Sequence, residues 1–163
     1  MLKGLLLLLI LVLAHGCGTR RAAALPLCRA SQLRVSQGRV AVGLGNRLEE
    51  LVFTNIGTRP CLLRGYPKAI SGETTAGRRV ILAIRGGTYF GRLVPAILRP
   101  GGHGFLDFGT ANHTDCGPGP ATVRYRDLVV TLPGGGRVRG RNVSLTEHCS
   151  FSISTLGQPE PPG

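Results

Sequence analysis

Three sets of residues in this sequence are of types that do chemistry: four histidines, five cysteines and 18 arginines. His113, Asp115 and His148 offer two imidazoles and a carboxylate, a ligand set of the kind that holds zinc, provided a bridge between Cys116 and Cys149 brings them together. His113 and Asp115 read more simply as parts of a polar loop, so no metal and no cofactor is assigned. No nucleophile elbow Gly-x-Ser-x-Gly, no His-Glu-x-x-His and no phosphate loop occurs. Glu49 and Glu50 are adjacent, and a strand sends neighbours to opposite faces, unlike a catalytic carboxylate pair. No catalytic residue follows, and the chain is not read as an enzyme.

The arginines carry more information. Arg124 and Arg126 alternate with Val123 and Tyr125, so in a strand they share the solvent face; Arg137, Arg139 and Arg141 alternate just downstream. If the two segments pair, five guanidiniums line one face, suited to carboxylate or phosphate groups. The formal charge is +12, from 20 basic and 8 acidic residues. Only Lys3 and Lys68 are lysines, and GC-rich coding alone produces such a skew, so a merely solvated face is the competing reading. Export and an aromatic content of 5% weigh against nucleic acid. Anionic lipid headgroups or cell-wall polymers suit the charge and the location.

Export is read from the first residues. Lys3 precedes an apolar run of ten residues, Leu5 to Ala14, followed by Gly16 and Cys17, the order of a signal peptide over residues 1–16. The run is half the ~20 residues needed to cross a bilayer as a helix. Ala14-His15-Gly16-Cys17 resembles a lipobox, with Cys17 as the lipidated residue and 17–27 as anchor and tether. Ordinary cleavage near Ala22, Ala23 or Ala24 is the alternative. Either outcome accounts for an odd fifth cysteine and leaves four.

Those four are equally spaced in pairs: 61 − 28 = 33 and 149 − 116 = 33. Three connectivities remain open. Sequential pairing, Cys28–Cys61 and Cys116–Cys149, is favoured because each bridge then ties strands within one half of the chain. On the loop-entropy model each contributes roughly 3 to 4 kcal/mol. A zinc role for the cysteines is disfavoured, since no Cys-x-x-Cys occurs.

The elements that must position these residues read as strands. His148 to Ser154 alternates apolar Cys149, Phe151 and Ile153 with polar residues. Leu51-Val52-Phe53-Thr54, Cys61-Leu62-Leu63, Val80 to Ile84, Phe105 to Phe108 and Leu128 to Leu132 are further β-prone runs bounded by Gly, Pro or Asn. Short strands at this spacing predict a sandwich over 28–156. Residues 157–163, rich in proline, read as a disordered tail that cannot continue a ladder.

One combination is specific. Leu51-Val52-Phe53-Thr54-Asn55 with Gly57, Pro60 and Cys61, then Leu63-Arg64-Gly65-Tyr66-Pro67, Leu98-Arg99-Pro100-Gly101, Cys116, Leu128 to Pro133 and Cys149 resembles the four-cysteine domain of unknown function 4232 of exported actinobacterial proteins and lipoproteins. The resemblance implies an all-β, immunoglobulin-like antiparallel β-sandwich with two disulfides, exported and without catalytic residues to carry over. Physically, Gly57 is expected to supply a positive φ in a turn, and Tyr66 to lay its ring on the core. The expected function is a binding or structural module at the cell envelope, lipid-anchored on the outer face of the membrane or secreted. The alternative is a secreted hydrolase or metal-dependent enzyme.

Overall fold

A computed structural model describes residues 24–87, 92–111 and 122–161. The predicted signal peptide, Cys17, most of the tether, His113, Asp115 and Cys116 lie outside the described residues. Thirteen strands are present among the described residues: β1 (Leu33–Gly43), β2 (Asn46–Asn55), β3 (Cys61–Leu63), β4 (Ala69–Thr74), β5 (Arg79–Ile81), β6 (Ile84–Gly86), β7 (Leu93–Val94), β8 (Ala96–Leu98), β9 (His103–Ala111), β10 (Val123–Thr131), β11 (Arg137–Glu147), β12 (Phe151–Ile153) and β13 (Gln158–Pro159). A three-residue 3₁₀ turn, Ala30–Gln32, leads into β1.

Two larger sheets form the body of the fold. The first has the order β1-β2-β9-β12-β6 and the second β11-β10-β4-β5, with the two-stranded pairs β3-β8 and β13-β7 beside them. Among the described residues, the named strands all pair antiparallel except β12 with β6. The fold is therefore all-β, as the alternation predicts.

Period-2 patterning sends Val35, Leu51, Phe53, Leu106, Phe108, Phe151 and Ile153 of the first sheet into one core with Ile70, Tyr125, Leu128, Val130, Val143 and Leu145 of the second. Phe151 joins the layers, its ring meeting Phe108 edge-on at 5.4 Å and Tyr125 at 6.2 Å. Such aromatic pairs contribute about 0.5–1.5 kcal/mol beyond the area they bury.

The two sheets also meet at their edges. β11 is the outer strand of its sheet, and its amides at Ser144 and Thr146 point toward the first sheet. The side-chain oxygen of Gln37 accepts the Ser144 N–H at 2.9 Å, and Glu49 accepts the Thr146 N–H at 2.7 Å. Arg47 holds the other oxygen of Glu49 at 2.6 Å. An open ladder edge is thus closed by two side chains.

The Cys28–Cys61 bridge is formed, with S–S 2.07 Å. The second predicted bridge involves Cys116, outside the described residues. Cys149 departs from the strict alternation: its φ is 70°, it is exposed, and β12 begins only at Phe151. A left-handed residue interrupts the regular alternation of a ladder, so the polar-apolar rhythm there reflects a turn followed by a three-residue strand.

The tail also differs from expectation. Gln158 and Pro159 pair with Val94 and Leu93, and Gly157 exchanges two backbone hydrogen bonds with Phe105. A proline at the end of an edge ladder loses a bond it did not need, which is why the sequence rule fails here.

Asn55 explains the Phe-Thr-Asn motif. It is fully buried; its amide nitrogen donates to the Arg59 and Leu98 carbonyls, and its side-chain oxygen accepts the Gly57 N–H. Gly57 accordingly serves an Asx turn rather than a positive φ. Replacing Asn55 by Ala removes three hydrogen bonds, the one to the Leu98 carbonyl fully buried and the other two part-buried. We expect Asn55→Ala to destabilise the fold by about 3 kcal/mol in urea denaturation, with an unchanged slope.

Candidate functional site

The five predicted arginines are brought together by two irregularities. Along β10, Arg124, Arg126, Leu128 and Val130 all fall on even positions, so a regular strand would put the arginines and the core residues on one face. Asp127 adopts φ 48°, and the register of β10 slips there against both neighbours. Arg126 consequently points to solvent while Leu128 is buried. β11 does the same at Asn142, φ 59°: Arg137, Arg139 and Arg141 are exposed before it, Val143 and Leu145 buried after it. Facing bulges on paired strands let both switch faces together. Gly140, opposite Leu128, gives the room, since a Cβ there would lie 2.7 Å from Val143 Cγ2.

The exposed side of the second sheet therefore carries Arg124, Arg126, Arg137, Arg139 and Arg141. Across the ladder, Arg79 of β5 and Glu73 of β4 stand in one row with Arg126. These two residues gave no signal in the sequence, because only the order β10-β4-β5 brings them beside the predicted arginines.

Glu73 is shared, 3.0 Å from Arg126 and 3.7 Å from Arg79. Asp127 lies 3.6 Å from Arg139, and its carbonyl accepts from Arg79 at 2.9 Å. Among the described residues, Arg124, Arg137 and Arg141 have no carboxylate partner. Six arginines against two acids leave 6 − 2 = +4 on this face. Between the guanidiniums of Arg79 and Arg137 the sheet surface dips into a depression of 310 Å³, lined by Ala69, Ser71, Ile81, Val129 and Thr131. Two hydroxyls and small apolar groups thus floor a concavity with cations on its rim.

The two described histidines each face a threonine hydroxyl. His148 Nδ1 lies 3.0 Å from Thr122 Oγ1, and His103 Nδ1 3.0 Å from Thr54 Oγ1, 49 residues away in sequence. No three His, Cys, Asp or Glu side chains come together among the described residues.

Tyr66 is half-exposed rather than laid on the core. Its ring covers Gly86, and beside it opens a cavity of 430 Å³ that Arg92, Leu93 and Thr155 help to line.

A buried acid pair was missed by the sequence reading. Glu49 faces the second sheet and Glu50 the opposite side, as adjacency requires, but Glu50 stands directly across the ladder from Asp107. Asp107 is 1% exposed and its Oδ1 has no hydrogen-bond partner. Burial first, then the Glu50 charge, raises its pKa to about 6, partly offset by Arg39, which pairs with Glu50 at 3.5 Å. The one available signal was an acid inside the apolar run Phe105 to Phe108.

The family model for the domain of unknown function DUF4232 matches residues 28–154. The chain belongs to the DUF4232 family. No curated protein and no solved structure matches it. In this DUF4232 domain the matched span covers both main sheets, from Cys28 through β12.

The raised pKa of Asp107 has a fixed sign. The folded state holds this proton more tightly than the unfolded chain, so the stabilisation is complete below the ordinary pKa of 3.8 and is lost as pH rises to about 6. We expect Asp107→Asn to raise the melting temperature above pH 6, by the equivalent of about 3 kcal/mol, and to make little difference below pH 4. Thermal melts of both proteins across pH 3.5–8 check it.

Proposed function

We propose that this DUF4232 domain is an exported, lipid-anchored β-sandwich of immunoglobulin-like type that acts as a binding module at the cell envelope, taking anionic envelope components on its arginine face. The observation that carries this reading is the pair of facing bulges. They turn five arginines outward on one exposed sheet, where Arg79 joins them around the depression.

Three features of the sequence support the location: Lys3 with the apolar run from Leu5, the Gly16-Cys17 junction, and disulfide chemistry suited to an oxidising compartment. The same reading assigns the second bridge to Cys116–Cys149. It assigns no catalytic residue, metal, cofactor or nucleic acid.

The arginines act additively through long-range attraction, with about 1 kcal/mol per cation near an anionic surface. Replacing Arg137, Arg139 and Arg141 together by Gln should weaken binding to vesicles rich in anionic lipid, or to purified wall polymer, by at least about 30-fold; Arg139 contributes less because Asp127 already offsets it. Wild-type binding should fall steeply between 0.05 and 0.5 M salt. Binding that is equal in the triple variant, or insensitive to salt, sinks the proposal. Intact mass of the membrane-associated protein tests the anchor: a diacylated Cys17 terminus is heavier by hundreds of daltons than a chain trimmed at the same residue.

A further inference from the structure

We infer that the distal half of β1 is a self-association edge, pairing antiparallel with β1 of a second copy of this chain around Ala41. β1 is the outermost strand of its sheet, and from Arg39 to Gly43 every residue is exposed. Natural edge strands usually block such an edge with lysine, proline or inward charges. Here the sequence is Val40-Ala41-Val42-Gly43, with Val40 48% and Val42 55% exposed. Leu44, on the same side of the hairpin, is 102% exposed and adopts φ 49°. A bulky residue in the left-handed region is strained, and Leu44 contributes no burial within its own chain. Its gain lies outside the monomer.

The turn decides which backbone groups of β1 face outward. Leu44 and Gly45, both at positive φ, form a two-residue turn of the type I′ class, which makes Gly43 and Asn46 a hydrogen-bonded pair. Antiparallel alternation then directs the main-chain groups of Gly43 and Ala41 toward β2 and those of Val40 and Val42 outward. Two copies related by a two-fold axis at Ala41 place Val40 of each opposite Val42 of the other. Both residues have their amides and carbonyls free for that bond. The same arrangement gathers the exposed Val40 and Val42 side chains of both copies on one face.

Charge does not forbid the pairing. Arg39 is the one charged side chain on this stretch, it is held by Glu50 of its own chain at 3.5 Å, and it stands opposite Gly43 of the other copy. The overall charge of +12 per chain does repel. Self-association through β1 is therefore strengthened by added salt, the reverse of anion binding on the arginine face, so the two readings fail separately.

A strand pair of this length buries less than the roughly 1,200 Å² of a stable interface, so the dimer is weak and must be sought at high concentration. Sedimentation of the full chain from about 10 µM to 1 mM should show a monomer–dimer equilibrium, tighter at 0.5 M than at 0.05 M salt. Val42→Lys should weaken it at least tenfold with an unchanged melting temperature. Cysteine cross-linking tests the register directly. Ala41 faces Ala41 in a non-hydrogen-bonded pair about 4.5 Å apart, within reach of a disulfide. Under mild oxidation Ala41→Cys should form a covalent dimer at least ten times faster than Gly43→Cys, a position where a side chain meets no neighbour. Sedimentation as a monomer throughout, or equal cross-linking rates at the two positions, overturns the inference.

Discussion

Two residues in the left-handed backbone region, Asp127 and Asn142, set the constraint on which the rest of the molecule depends. β10 and β11 each carry a charged half and an apolar half in the wrong parity for one regular strand. A bulge on one strand alone would leave the other out of step. Bulges on both let Leu128, Val130, Val143 and Leu145 enter the core while the arginines stay in water. The desolvation that a buried guanidinium would suffer makes the alternative parity untenable. Core and basic face are thus two results of one backbone event.

Around that hairpin the fold is joined mostly by side chains acting on main chain. Gln37 and Glu49 close the open edge of β11, Asn55 ties the turn after β2 to the end of β8, and the Ser154 hydroxyl accepts the Asp107 N–H at 2.9 Å while the Ser154 N–H donates to the Asp107 carbonyl at 3.0 Å. Each polar side chain satisfies a backbone group that short strands and many turns would leave exposed in the interior. Asp107 is the exception, an acid held where its charge is unfavourable.

Much of this was legible in the residues. The β-prone runs Leu51 to Thr54 and Phe105 to Phe108 lie in strands that pair with each other, and Cys28–Cys61 is one of the two bridges favoured because each ties strands within one half of the chain. The shared exposure of the five arginines was also legible. What could not be read was the mechanism that delivers it, since a parity change requires knowing where the ladder slips, and Asp and Asn are only tolerant of positive φ, not obliged to adopt it. Cys149 and the Gln158–Pro159 strand escaped for related reasons: each depends on what the neighbouring backbone offers, and local pattern carries no record of that. The Glu50–Asp107 pair is separated by 57 residues and exists only because β2 lies beside β9.

The Cys28–Cys61 bridge has a mechanical meaning. The chain enters the domain at Leu27, which bridges to Leu62 in parallel, and Cys28 is covalently fixed to the first residue of β3. β3 pairs with β8 rather than with either main sheet. Tension on the segment before Cys28 is therefore taken up by a covalent bond and a side ladder before it reaches β1. A domain tethered at its N-terminus can be tugged without peeling the first strand from the sandwich.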